Sequence, residues 1–411
     1  MNKTVILSLL AFCVLFCSCG KEVDTTPTMQ DAKPIVLTKA QQEIVGRNNT
    51  FSFNLFQKLA AKEKGSFLYS PFSVESVFSM LLNAAEGDTY SQIASSLGYT
   101  DYSIDDINSM YAAVVKGLTE ADKTVLFNNA NSLWTNNFDA PSSFSKVMTT
   151  YYSAYMKKLD FPSTNAVSAI NDWASKQTNG KINNLVEDLD PNGIAVLVNA
   201  VFFEGSWKHK FSTQLTTDED FYLWDGSTKK VKMMHRTQEL IASQVDGHKL
   251  CLLPFGNGAF QLALILPSED AGGKDFFSSL DITDYQALRA AKKTYNVFLS
   301  VPRILLESNI SDNLKNALIE LGIQDAFDKE KGNFPILLDQ PLCVNEIKQK
   351  SLFQMDEEGA KFATATKAKG EWDEDDLPPQ PLEFNANRPF AFLIYENSTG
   401  TILLMGEYSG N

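Results

Sequence analysis

Histidine is almost missing from this chain: among 411 residues there are only His209, His235 and His248. A Ser/His/Asp triad or a histidine-ligated zinc site needs clustered imidazoles, and no GxSxG, HExxH or CxxC pattern is present. The three scattered rings read as structural or exposed, so no catalytic residue, no metal ligand and no cofactor is expected. Long basic runs are also absent. With 36 Lys+Arg against 50 Asp+Glu the formal charge is −14, which argues against nucleic acid and against polybasic attachment to anionic lipid. Past the N-terminus no apolar span approaches the length of a transmembrane helix, and no internal repeat is evident. Cysteine is scarce beyond the first twenty residues. Cys251 and Cys343 both sit in apolar runs and read as buried inert thiols, with a disulfide between them left open.

What is present suffices for a large core: 44% of residues are hydrophobic and 21% charged, and the length alone would allow two or three domains. Phe51, Leu55, Phe56 and Leu59 form a helical stripe over 48–63. Ser70-Pro71 supplies an N-cap and a first-turn proline for a second helix, whose apolar face runs from Val74 to Ala85. Thr89 is a candidate cap for a short helix ending at Gly98. A helix beyond 104, a strand near 124–134, a helix from Pro141 carrying Tyr151, Tyr155 and Met156, and a helix around Ile170 and Trp173 follow. Ile194 to Phe203 is a continuous apolar run that reads as a strand buried on both faces. Asp225-Gly226 and Gly256-Asn257-Gly258 mark hairpins. Asn296–Leu306 reads as one strand and Ser311–Leu321 as a helix closed by Gly322. Two last strands flank Ser398-Thr399-Gly400. Helices dominate the first half and antiparallel strands the second, which is α+β with connections too tight to cut.

The N-terminus carries a targeting pattern. Lys3 is the positive charge, Val5 to Leu15 the apolar region, and Ser18-Cys19-Gly20 a small-residue processing site. This resembles the bacterial lipoprotein signal, in which the cysteine is acylated and becomes the first residue; Phe16 and Cys17 depart from its usual Leu and small residue. The resemblance implies a signal peptide over 1–18, lipidation at Cys19, a flexible tether over 19–40 and a folded domain over 41–411. It further implies a membrane-anchored, extracytoplasmic protein of the cell envelope, outer membrane or cell surface.

Between the last strand-like runs lies Glu357 to Pro381, EEGAKFATATKAKGEWDEDDLPPQP. Ala360, Phe362, Thr364, Thr366, Ala368 and Gly370 carry no charge, while the intervening Lys361, Ala363, Ala365, Lys367 and Lys369 hold every charge of that interval. Alternate residues of a strand face opposite sides, so this segment could line a sheet with one face buried. Ala and Gly are weak strand formers, and the segment has no partner of its own. It reads as a strand held out as a loop, with an acidic tip, Glu371 to Asp376, stiffened by Pro378, Pro379 and Pro381.

Several stretches together resemble the serpin family from about residue 41 to 411. They are SPFSVESVFSMLLNAAEGDT (70–89), NAVFFEGSWKHKF (199–211), LPF (253–255), VPRILLE (301–307), LGIQDAF (321–327), the hinge DEEGAKFATAT (356–366) and NRPFAFLIYENSTGTILLMGE (387–407). The resemblance implies helices packed on large, mainly antiparallel sheets with an exposed reactive loop. It implies a monomer that is not an enzyme but a suicide-substrate inhibitor of serine or cysteine endopeptidases. The protease cleaves the loop, is held as an acyl-enzyme, and is trapped when the hinge inserts as a new strand. The hinge would be Glu357, Glu358, Gly359, Ala360, Phe362, Ala363, Thr364, Ala365 and Thr366. The sheet would open at Ser70, Ser73, Asn199, Trp207 and Gln349, the last where many relatives carry histidine. Counting about seventeen residues from Glu357 gives Asp373 as the donor of the scissile carbonyl; Trp372, Glu374, Asp375 and Lys369 are the other candidates. Phe362 departs from the alanine the family keeps on the buried face, and overpacking there would oppose insertion by ~1–3 kcal/mol. That departure favours the alternative, a non-inhibitory serpin acting as a surface binding lipoprotein; the otherwise small, charge-alternating hinge opposes it.

Overall fold

The computed structural model describes residues 30–271, 273–338, 342–360 and 379–410. Cys19, Phe362, Ala363, Thr364, Ala365, Thr366, Lys369, Trp372, Asp373, Glu374 and Asp375 lie outside the described residues.

Caps and 3.6-residue stripes set the helices of the N-terminal part. The first spans Lys39–Lys62, opened by a capping box between Thr38 and Gln41, and buries Phe51, Leu55, Phe56 and Leu59. The segment before it is packed as well. Lys33 N–H donates to Ala121 O (3.4 Å) and Ile35 N–H to Ser398 Oγ (2.9 Å). Ile35 lies over Gly117, where a Cβ would come within 2.6 Å of it. The tether expected through residue 40 is therefore held on the body from Lys33 onward. Ser70 caps the helix Pro71–Leu82, every residue of which is buried.

Three local expectations change. Thr89 does not cap: Gly87–Leu97 begins after Glu86, and Thr89 Oγ1 instead accepts from Asn333 N (3.1 Å). The helix Ser142–Tyr152 stops at Ser153, whose φ is 51°. Tyr155 and Met156 therefore begin a strand, Tyr155–Leu159, parallel to Val125–Asn136. The single strand expected over 296–306 is two, Lys293–Pro302 and Ile304–Asn309, in different sheets. Pro302 has no N–H to extend its ladder, and Arg303 is the corner.

Strands form two sheets. The nine-stranded sheet follows the order 67–69, 402–408, 390–396, 260–266, 248–255, 228–245, 293–302, 381–385, with 217–222 on the edge of 228–245. The second sheet has the order 304–309, 344–355, 195–206, 125–136, 155–159. Strand Ala195–Ser206 separates two cores. Ala195, Leu197, Val201 and Phe203 face the main core. Val196, Val198 and Ala200 face a smaller one under the helix Asn165–Gln177, with Trp134, Ile170 and Trp173. That explains the unbroken apolar run read from sequence. Cys251 and Cys343 are both buried free thiols, and burial pushes the Cys251 thiol up to about 12. Among the described residues no helix is long and apolar enough to cross a membrane.

Candidate functional site

Apart from the parallel pairing of Tyr155–Leu159 at its edge, the second sheet has a parallel seam at its centre. Val344–Met355 runs parallel to Ala195–Ser206, with Gln349 opposite Asn199 and Ser351 opposite Val201. Their outer neighbours, Ile304–Asn309 and Val125–Asn136, are antiparallel to them. A strand entering the seam could be antiparallel to both sides. It would exchange one parallel ladder for two of the antiparallel kind, which is the more stable pairing per residue.

At the upper end of the seam the chain turns back on itself. Asp356 and Gly359 exchange two backbone hydrogen bonds (3.1 and 3.3 Å). Gly359 and Ala360 then pair antiparallel with Ser206 and Gly205. Gly359 has a φ of +128°, and a Cβ there would lie 2.4 Å from Gly205 O, so only glycine fits this turn.

Trp207 anchors the turn from the neighbouring strand end. Its indole N–H donates to Asp356 O (2.8 Å), its backbone N–H to Glu358 O (3.0 Å), and its ring stacks on Phe255 at 4.5 Å. Phe211 N–H donates to Glu357 O (3.0 Å). The buried Glu357 carboxylate accepts from Arg303 Nε (2.9 Å) and Nη2 (2.6 Å) and from Thr216 Oγ1 (2.5 Å). Burial pushes this carboxyl up, but the Arg303 and Thr216 donors outweigh it and hold Glu357 below the usual carboxylate range. Lys210 pairs with Glu358 at 2.5 Å.

Midway down the seam the expected opening residues converge. Gln349 accepts from Ser70 N (3.0 Å) and donates to Ser70 O (3.2 Å), bridging strand and helix cap. Ser70 Oγ donates to Leu403 O (2.7 Å) and accepts from Ser73 N (3.2 Å). Asn199 Nδ2 donates to the side chains of Asn129 and Asn131 (both 2.8 Å). Asn199 Oδ1, Ser73 Oγ and Ser351 Oγ are buried without a hydrogen-bond partner among the described residues. Buried polar atoms left in that condition destabilise a fold, and three of them gather along this seam. Trp207 stands apart from the other four, at the entrance.

Arg303, Thr216, Asn129, Asn131 and Ser351 were not singled out from sequence. Arg303 had a signal, a lone charge between the apolar VP and ILL. The others had none, because their roles come from strands that meet only in the fold.

A sequence profile described as "Serpin (serine protease inhibitor)" matches residues 46–410. Serpin A12 of Homo sapiens is 27% identical over 90% of this chain and 88% of that protein. Leukocyte elastase inhibitor A of Mus musculus is 29% identical over 89% of this chain and 98% of its own length. Among solved structures, the thermophilic serpin tengpin in its native state superposes with a TM-score of 0.82 at 26% identity, covering 93% of this chain and 98% of tengpin. Thyroxine-binding globulin, at 24% identity and a TM-score of 0.78 over 89% of this chain and 98% of that one, shares the fold. The chain belongs to the serpin family.

Proposed function

We propose that this protein is a suicide-substrate inhibitor of a serine or cysteine endopeptidase. One observation carries the reading: a parallel seam at whose entrance Gly359 and Ala360 already pair in the antiparallel sense. The attacking Ser or Cys of the protease forms an acyl bond to the scissile carbonyl of the loop, and the amine-side fragment leaves. The freed hinge then continues the pairing that Gly359 and Ala360 have begun.

The register of that continuation follows from the pairs at its start. Gly359 lies opposite Ser206 on one side and bridges Asp356 on the other. Each further hinge residue then steps one residue back along both neighbours. Phe362 would enter between Phe203 and Phe353, Thr364 between Val201 and Ser351, and Thr366 between Asn199 and Gln349. The strand positions receiving them face the main core, so the uncharged set goes toward that core and the lysine-bearing set toward the opposite face of the sheet, the one on which Val196, Val198 and Ala200 lie. Thr364 would bring its hydroxyl beside the partnerless Ser351 Oγ, and Thr366 beside the partnerless Asn199 Oδ1. Phe362 would meet an aromatic neighbourhood. Phe203 contacts Phe255 at 4.9 Å and Phe353 stacks on Phe392 at 5.1 Å, so its ring matches what flanks it.

The bait is proposed at Asp373, with Trp372 next. An acidic residue there calls for a basic specificity pocket in the protease, and Trp372 for an apolar one. Incubation with a protease panel should yield an SDS-stable adduct whose released peptide begins at Glu374. A start at Gly370, after Lys369, would defeat that assignment, and cleavage by every class without any adduct would defeat the inhibitory reading. Acylation at Cys19 is proposed to hold the body at the cell envelope; Cys19→Ala should move it to the soluble fraction.

A further inference from the structure

A cavity of about 380 Å³ lies where the helices Ile104–Ala121 and Pro71–Leu82 meet the strand Val125–Asn136 and the helix Asn165–Gln177. Its size is that of a small-molecule site. None of its lining residues is charged, although a fifth of the chain is (21%). Ionic ligands, nucleotides and carboxylates would find no counter-charge there. The wall is of two kinds. Phe72, Phe127, Tyr155 and Trp173 supply aromatic surface. Tyr155 stacks toward Trp173 with centroids 6.2 Å apart and is 41% exposed, so the cavity reaches solvent on that side. The polar part is amides, Asn128, Asn129, Asn131 and Gln177, with the hydroxyls of Thr119 and Ser153 beside them.

Asn131 already donates and accepts within the protein, and Asn128 Nδ2 donates to Gln177 O. The Gln177 amide, the Asn129 Nδ2 donor and the remaining oxygen lone pairs offer donors and acceptors side by side, which matches neighbouring hydroxyls on a saturated ring. Aromatic faces cover that ring's C–H surface without needing charge. We propose that this cavity is a binding site for a neutral, hydroxyl-rich ring: a mono- or disaccharide.

The site is wired to the seam. Asn129 and Asn131 each accept a hydrogen bond from Asn199 Nδ2, which also reaches Ala130 O (3.3 Å). Asn131 Nδ2 donates to Ser76 Oγ of the helix Pro71–Leu82 (2.9 Å), and Asn199 lies opposite Gln349. The cavity also straddles a boundary. Phe72, Val115 and Leu118 belong to helices beneath the sheet, while Phe127, Tyr155 and Trp173 move with Ala195–Ser206 if the seam opens. A ligand bridging the two groups resists that opening. This last consequence rests on the inhibitory reading; binding itself does not.

Two readouts separate the claims. The full chain, titrated with a panel of neutral mono- and disaccharides in the millimolar range, should show a concentration-dependent rise in thermal midpoint and a change in tryptophan fluorescence from Trp173. Gln177→Ala and Asn129→Ala, tested separately, should each weaken the effect about tenfold, the loss of one hydrogen bond. No response to any sugar overturns the proposal. A response confined to flat aromatic compounds overturns the ligand class, and a response unchanged in both variants overturns the location. With sugar bound, adduct formation with a trapped protease should slow. If sugar binds but leaves that rate unchanged, the coupling to the seam falls while the inhibitory reading stands.

Discussion

Ala195–Ser206 and Phe390–Glu396 have the same sequence signature, an apolar run buried on both faces. Their surroundings differ. Phe390–Glu396 is flanked by antiparallel partners on both sides, 402–408 and 260–266. Ala195–Ser206 has a full-length antiparallel partner on one side only; on the other runs the parallel Val344–Met355, with Gly359 and Ala360 antiparallel at its end alone. One strand has antiparallel ladders on both sides; the other keeps a parallel one, the weaker pairing per residue. A buried apolar strand is thus not by itself evidence of a completed sheet; its ladder partners decide.

The largest effect that should divide the two strands comes from cutting the loop. About ten new backbone hydrogen bonds at ~1 kcal/mol each would add ~10 kcal/mol and raise the thermal midpoint by about 13 °C. Calorimetry before and after limited proteolysis measures it; equal midpoints would make the seam as finished as the hairpin. Phe362→Ala comes next. It should lower the stability of the cleaved form by about 3 kcal/mol and reduce the ratio of trapped to released protease, measured by denaturation of the cleaved chain and by gel densitometry.

Glu407 tests the finished sheet. It is buried in the last strand with Trp224 Nε1 as its hydrogen-bond donor (3.3 Å). Burial pushes its carboxyl up from 4.5 to about 7, against the opposing pull of Trp224 and Lys274. A carboxyl raised in the folded state favours folding at acid pH, and that contribution is lost as pH rises from about 4.5 through 7. Glu407→Gln should flatten this dependence, worth at most about 3 kcal/mol, in both intact and cleaved forms.

Arg303→Ala should have the smallest effect. It leaves Glu357 buried without its guanidinium, for a loss of about 2 kcal/mol in the intact form, below the full range for buried pairs because Arg303 is partly exposed. Glu357 is depressed, so its contribution is present above the ordinary carboxylate value and disappears as pH falls through its lowered value. Denaturation at neutral and acid pH should show the variant and the parent converging on the acid side.

Much was legible from residues alone because it is local. Caps such as Ser70-Pro71, the two-faced run from Ile194 to Phe203 and the turn glycines each follow from backbone geometry and the 3.6- or 2-residue period. Non-local relations were decided only in three dimensions. Nothing near residue 155 in sequence shows that Tyr155 leaves its helix to pair with Ser132, since that ladder partner is remote along the chain. The split at Arg303 depends on two sheets competing for one run of residues. The parallel seam itself, and the partnerless atoms of Asn199 and Ser351 beside it, exist only because strands 150 positions apart are neighbours, as Asn199 and Gln349 are. Periodicity along a chain says which face of a strand is buried; hydrogen-bond pairing across a sheet, which determines whether another strand can enter, belongs to the tertiary structure.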